Sequence, residues 1–302
     1  MTDRLKTDWF RQRTIRGPAR LSGRGYLSGV EVDLEFRPAP PDSGIVFERT
    51  DLPGRPTVAA TIDHVVPRQR RTAIAQGEAV VEMVEHVMAA LAGLGIDNCV
   101  VASSAAETPG CDGSSLAFVE TLRRAGVLVQ DAPAKILHIE RPVTIAEGGM
   151  SIAVIPHDEP AFRLAYELDY PNAPAIGRQS FEFALGEGAF EAELASARTF
   201  VLDHEAEMLR AAGIGRHCTS RDLLIFGPSG PIGNVLRFPD EPVRHKMLDV
   251  LGDLALVGHR IHGKVIACKS GHALNAALAR RIVEDVRRSV DDDLHPGLAR
   301  IA

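Results

Sequence analysis

The stretch Val30-Glu31-Val32-Asp33-Leu34-Glu35-Phe36-Arg37 alternates apolar and charged side chains without a break. A period of two puts Val30, Val32, Leu34 and Phe36 on one face and the charges on the other, as in a half-buried sheet strand. Pro38-Ala39-Pro40-Pro41 stops it. Downstream the period changes. Val84, Val87, Met88 and Leu91 recur at helical spacing, predicting a helix over about 80–94 that Gly93 and Gly95 end. A strand near 98–102 and a helix near 115–125 follow, and Gln130-Asp131-Ala132-Pro133-Ala134 reads as a linker. The order then restarts. Strands are expected around 136–145 and 152–155 and along the alternation Phe162, Leu164, Tyr166, Leu168, Tyr170. Helices are expected near 188–196, 203–213, 242–258 and 273–289, with Asp291-Asp292-Asp293 a solvated acidic tail. Strands followed by helices in each half point to an α+β fold rather than a doubly wound sheet. The halves are 1–130 and 131–302, and they share this order without an identifiable sequence repeat.

At 302 residues the chain can build two cores, and 45% hydrophobic with 25% charged residues is ordinary for a soluble globular protein. A net charge of −6 gives no electrostatic case for nucleic acid, whose binders carry a basic face. The one basic cluster, Arg68-Gln69-Arg70-Arg71, has no interleaved aromatics and reads as a solvated loop. The polar start Met1-Thr2-Asp3-Arg4-Leu5-Lys6-Thr7-Asp8 lacks the apolar region of a signal peptide. No apolar run approaches the ~20 residues that span a bilayer. Cys99, Cys111, Cys218 and Cys268 have neither zinc-ribbon nor disulfide-scaffold spacing. A reduced, cytoplasmic setting is expected.

Chemistry concentrates in two places. In His245-Lys246-Met247-Leu248-Asp249 the histidine and aspartate stand four apart, and Asp253 continues the stripe. Positions four apart advance by ~40° on a helix, so all three share one face. Far upstream, Glu85-His86 lies inside an even more apolar helix. Spacing alone leaves two readings open: polar helix faces, or one metal site where the helices meet, with a third ligand supplied by Glu85-His86. In the second reading zinc would lower the pKa of water and polarise a substrate carbonyl. Glu85, beside a ligand, suits a general base, and His272, after Gly271, suits a general acid held by Asp253. Lys246 and Lys269 would meet an anionic substrate group. The turn Gly23-Arg24-Gly25-Tyr26-Leu27-Ser28-Gly29 precedes a strand and is no dinucleotide loop. His259 and His262 are expected to be exposed, and Cys268 to be a small buried thiol rather than a metal partner of His272.

At these residues the sequence resembles the zinc-dependent UDP-3-O-acyl-N-acetylglucosamine deacetylases of lipid A biosynthesis. The resemblance runs from Arg11-Gln12-Arg13-Thr14 to the last helix. It is most specific in Val84-Glu85-His86, Ala90 to Asn98, Asp112-Gly113-Ser114, Ala197-Arg198-Thr199-Phe200, Val243 to Asp249 with Gly252-Asp253-Leu254, and Lys269 to Asn275. It implies two α/β sandwich domains with helices packed between two outer sheets and the metal in the cleft between them. It also implies His86, His245 and Asp249 as ligands of zinc, for which ferrous iron is an alternative. Glu85 would be the base, His272 the acid supported by Asp253, and Thr199 an oxyanion donor. Lys246, Lys269 and Phe200 would meet the substrate, an acylated UDP-sugar, and the enzyme is expected to work as a monomer. Three segments depart from the family pattern: Leu27 replaces a histidine, Val201-Leu202 replace a glycine and an aromatic, and Gly215 to Thr219 with Asp222-Leu223-Leu224 replace two further motifs. All three fall where the resemblance places substrate recognition. A relative acting on another N-acetyl sugar is the alternative. A non-catalytic binding relative would need neither Glu85 nor His272.

Overall fold

The computed structural model describes residues 9–159 and 161–294, so the polar stretch 1–8 lies outside the described residues. In chain order the first half contributes β1 (Arg11–Ile15), β2 (Ala19–Arg24), β3 (Glu31–Pro38), β4 (Ile45–Arg49), β5 (Thr57–Ala59), β6 (Val65–Val66), β7 (Ala73–Gln76) and β8 (Ala79–Glu82). Helix α1 (Glu85–Gly93), β9 (Cys99–Ser103), α2 (Leu116–Ala125) and β10 (Val127–Pro133) complete it. The second half begins with β11 (Ile136–His138), β12 (Val143–Glu147), β13 (Met150–Ile155), β14 (Phe162–Tyr170) and β15 (Gly177–Ala184). Then come α3 (Ala189–Glu193), β16 (Phe200–Leu202), α4 (Asp203–Ala211), β17 (Leu224–Gly227) and β18 (Gly230–Pro231). The last elements are α5 (Glu241–Leu254), β19 (Arg260–Cys268) and α6 (His272–Leu294).

A five-stranded sheet in the order β2-β3-β9-β4-β5 is built wholly from the first half. The strand expected from the 30–37 alternation sits inside it, with Val32, Leu34 and Phe36 buried. A six-stranded sheet in the order β12-β13-β19-β14-β15, with β11 also on β19, belongs to the second. The helices lie between these sheets: α2 rests on β2, α1 on α5, α5 on β14 and β15, and α6 on β12 and β13. The fold is α+β, as expected. Among the described residues no helix is long and apolar enough to cross a membrane.

Five expectations need correction. Helix α1 begins at Glu85, not near residue 80, because Ala79–Glu82 pairs antiparallel with β7 across a tight Gly77-Glu78 turn. The β-branched pair Val80-Val81 finds cross-strand partners there, and Gly77 takes the positive φ (57°) the turn requires. The segment 130–134 is no linker, since β10 runs through it and pairs with β1 from Ile15↔Val127 to Arg11↔Pro133. Gln130 fixes it further, donating to the Ala39 carbonyl at 2.9 Å and accepting from Asn98 at 2.7 Å. His262 is buried inside β19, edge-on to His138 at 4.9 Å, whereas His259 is exposed as expected. Cys268 is half-buried at the end of β19, and α6 continues through 291–293 as helical backbone.

Candidate active site

Helices α1 and α5 meet where each carries its acidic and histidine residues. His86, His245 and Asp249 are all buried, and one ligand atom from each lies within 4.8 Å of the others. The Oδ1 of Asp249 is 3.4 Å from Nε2 of His245 and 3.7 Å from Nε2 of His86. Ligands 2.0–2.2 Å from a tetrahedral centre stand roughly 3.3–3.6 Å apart, so the spacing suits one ion. The tautomer agrees. His245 Nδ1 lies 3.1 Å from the Ala197 carbonyl, which can only accept, so Nε2 offers its lone pair to the site. Burial pushes the His245 pKa down to about 4 against the pull of Asp249, which keeps that ring neutral. Burial alone would raise Asp249, but the ammonium of Lys246 and the nearby imidazoles hold its carboxyl well below the usual range. Buried lone pairs converging on a carboxylate call for a cation, and this triad is a possible metal site.

A second cluster adjoins the first. His272 Nδ1 lies 2.9 Å from Asp253 Oδ2, and the side-chain amide of Asn275 donates to the same oxygen at 2.8 Å. The hydroxyl of Thr72 donates to Asp253 Oδ1 at 2.6 Å and lies 3.2 Å from His272 Nδ1. The far nitrogen of His272 is 3.9 Å from Glu85 Oε1, whose other oxygen accepts from the Thr72 backbone at 3.1 Å. Burial alone would lower the His272 pKa, but the Asp253 carboxylate outweighs it and raises it to about 9. Burial raises Glu85 above an ordinary carboxylate, with the nearby imidazoles opposing. One group that holds a proton and one that can take a proton thus face each other beside the triad.

The remaining candidates fall around these two clusters. Lys246 donates to Asp249 Oδ2 at 2.7 Å, so its ammonium is already engaged by the triad. Lys269 takes a left-handed φ of 54° at the turn from β19 into α6 and is half-buried. The Thr199 backbone donates to the Gly113 carbonyl at 2.7 Å, two residues beyond the Ala197 carbonyl that faces His245. Phe200 packs edge-on against Tyr170 and Phe226 at 5.7 and 6.0 Å. Cys268 does not join His272 in a metal-ligand group among the described residues.

Thr72, Asn275 and Glu241 were missed as functional supports. Asn275 could have been found, since it lies one helical turn beyond His272 and shares its face. Thr72 leaves no such signal, because only the folded β6–β8 region brings it to Asp253. Glu241 is fully buried and binds the Arg198 guanidinium through Nε at 2.7 Å and Nη2 at 3.1 Å.

The sequence profile of the LpxC family, UDP-3-O-acyl N-acetylglycosamine deacetylase, matches residues 12–284. The chain belongs to this family. A UDP-3-O-acyl-N-acetylglucosamine deacetylase of Anaeromyxobacter sp. (strain Fw109-5) is 41% identical over 92% of this chain and 90% of its own length. A protein of the same name from Chlamydia felis (strain Fe/C-56) is 39% identical over 91% of this chain and 98% of its own. That of Myxococcus xanthus (strain DK1622) is 39% identical over 93% and 89%. The turn around Leu27 and the 215–222 segment, both expected to depart from the family pattern, pack together. The ring of His217 lies over Gly29, where a methyl group would come within 2.8 Å of Nδ1. The Tyr26 hydroxyl donates to the Asp222 carbonyl at 2.6 Å. Glu107 holds the turn from beneath, accepting from Leu27 N at 2.8 Å and Ser28 N at 2.9 Å.

Proposed function

We propose that this chain removes the acetyl group of UDP-3-O-acyl-N-acetylglucosamine using a zinc ion held by His86, His245 and Asp249, in an early step of lipid A biosynthesis. Family membership makes it a deacetylase, a hydrolase of an amide bond. The observation that carries the residue roles is the Glu85 carboxylate facing the His272–Asp253 couple at the edge of the buried triad. Such an ion supplies Lewis acidity, polarising a carbonyl and lowering the pKa of water; ferrous iron would suit the same three ligands.

The chain's own groups divide the proton work. Glu85 accepts the proton of the attacking water, a task its raised basicity favours near neutral pH. His272 carries a proton and gives it to the departing amine, with Asp253 fixing the ring through Nδ1 so that Nε2 faces the cleft. Thr72 and Asn275 occupy two further lone pairs of Asp253 and keep it from turning away. Thr199 donates its hydroxyl to the oxygen on which charge develops. Lys246 neutralises Asp249 and, with Lys269, lends positive charge to an anionic substrate, while Phe200 offers an apolar wall. The enzyme acts as a monomer in the cytoplasm, which cell fractionation and light scattering test.

The decisive assay offers UDP-3-O-acyl-N-acetylglucosamines of several acyl lengths, with unacylated UDP-N-acetylglucosamine and Glu85→Ala as controls. Acetate release from acylated substrates by the wild type alone is the expected result. No turnover at any acyl length would sink the substrate assignment.

A further inference from the structure

Tyr26 is the one aromatic residue of the Gly-rich turn before β3, and the fold takes it out of solvent. Its side chain is 8% exposed and lies over Gly110, where a methyl group would come within 2.6 Å of the ring carbons. At the far end of the ring the hydroxyl donates to the Asp222 carbonyl at 2.6 Å, a bond that joins the first half of the chain to the second. Burial raises the pKa of this hydroxyl well above the ordinary tyrosine value, and Asp112 with the thiols of Cys111 and Cys218 pushes the same way. The group therefore keeps its proton and remains a donor.

What that bond holds lies against Thr199. Gly113 has a positive φ of 90°, and three groups converge on the face of its α-carbon. A methyl there would stand 2.8 Å from the Asp222 carbonyl oxygen, 3.1 Å from the Tyr26 hydroxyl and 3.3 Å from Cγ2 of Thr199. The Gly113 carbonyl also accepts from the Thr199 backbone at 2.7 Å. On the other side the Thr199 carbonyl accepts at 2.9 Å from Leu224, two residues past Asp222. Thr199 is thus held at both backbone groups and at its methyl. A β-branched side chain has few χ1 choices, so seating the methyl decides where the hydroxyl points. We propose that Tyr26 is a positioning residue for Thr199: its hydroxyl pins the Asp222 carbonyl over Gly113, and the shelf so formed sets the direction of the Thr199 hydroxyl. The proposal rests on the reading above that gives this hydroxyl to the oxygen on which charge develops. Such a donor works by being placed beforehand, and small displacements of it are costly.

Steady-state kinetics on a UDP-3-O-acyl-N-acetylglucosamine test this through a double-mutant cycle in the full-length enzyme. Thr199→Ala should lower kcat by about 10²–10³-fold, the usual loss for one oxyanion donor. Tyr26→Phe keeps the ring and removes only the hydroxyl. It should lower kcat by about 10-fold with KM unchanged, the pattern of an interaction made only in the transition state. In the Thr199→Ala background the same substitution should cost nothing more, because a group that acts through another loses its effect when that other is gone. A tyrosine that only fills the core would show no such cancellation. Gly113→Ala crowds the shelf from the opposite side and keeps the test open if Tyr26→Phe unfolds on a melting curve. Its loss of kcat should likewise vanish without the Thr199 hydroxyl. Wild-type kcat in a folded Tyr26→Phe protein, or losses that add in the double variant, would overturn the proposal and leave the role of Thr199 standing. Wild-type kcat in Thr199→Ala would sink that role and this proposal together.

Discussion

The α-carbon of Gly252 lies so close to the Glu85 carbonyl that a methyl group there would stand 2.1 Å from the oxygen. Helices α1 and α5 therefore cross in backbone contact. On α5 the contact point is flanked by Asp249 and Asp253, and on α1 it is the residue just before His86. A side chain at 252 would push apart the groups that the triad and the Glu85–His272 pair need together.

Gly252→Ala should accordingly destabilise the fold by about 1–3 kcal/mol, the usual cost of overpacking. It should also weaken metal binding, because relief requires α1 to move away from Asp249. Thermal unfolding and a zinc titration against a competing chelator measure the two effects. A variant that binds zinc like the wild type would show that the crossing has slack.

The proton on His272 has a distinct pH signature. Its pKa is raised to about 9 by Asp253 against the effect of burial, so the proposed general acid stays loaded up to that pH. The alkaline limb of kcat/KM should fall near 9, and Asp253→Asn should move it toward the ordinary histidine range. Stability follows the same sign: the folded state gains from the raised pKa fully below 6.5 and loses that gain as pH rises through about 9. A limb unmoved by Asp253→Asn would assign it to another group.

Glu85→Gln keeps the shape of the side chain and its acceptor for the Thr72 backbone, but removes the proposed base. Turnover should fall by about 10²–10⁴ while zinc stoichiometry, read by elemental analysis, stays at the wild-type level. Loss of metal together with activity would mean that Glu85 supports the triad rather than the proton transfer.

Much of this site is legible in the sequence because it sits on helices. His245, Asp249 and Asp253 share a face by spacing alone, and apolar neighbours such as Met247 and Leu248 announce that the face is buried. The strand β3 is equally plain, since one of its faces meets solvent. The central strand β19 is not. Flanked by β13 and β14, Arg260 to Cys268 shows no clean alternation in sequence, because an apolar residue, Ile266, stands exposed between buried Val265 and Ala267. Gly263 interrupts it because a methyl there would lie 2.9 Å from Ile139 and 3.0 Å from the Ile155 carbonyl. Thr72 and Glu107 were hidden for a related reason. Each works through contacts distant in sequence, Thr72 with Asp253 and Glu107 with the 25–29 turn, and no local period marks such a residue.

The buried pair Arg198–Glu241 gives the last expected outcome. Glu241 accepts from the Arg198 backbone at 3.0 Å, from its guanidinium at 2.7 and 3.1 Å, and from the Arg237 backbone at 2.6 Å. It therefore ties the Ala197–Phe200 turn to the first turn of α5, and the Ala197 carbonyl in that turn orients His245. Glu241→Ala would leave a buried guanidinium with only Asn234 Oδ1 and the Val235 carbonyl, an uncompensated charge that costs about 3–5 kcal/mol. Glu241→Gln keeps an acceptor and the volume, so its loss should be smaller. Because the pair acts on the His245 ring, both variants should also weaken zinc binding, and in the same order as their unfolding free energies. Zinc affinity unchanged in a destabilised Glu241→Ala protein would separate the pair from the metal site and leave it a purely structural tie.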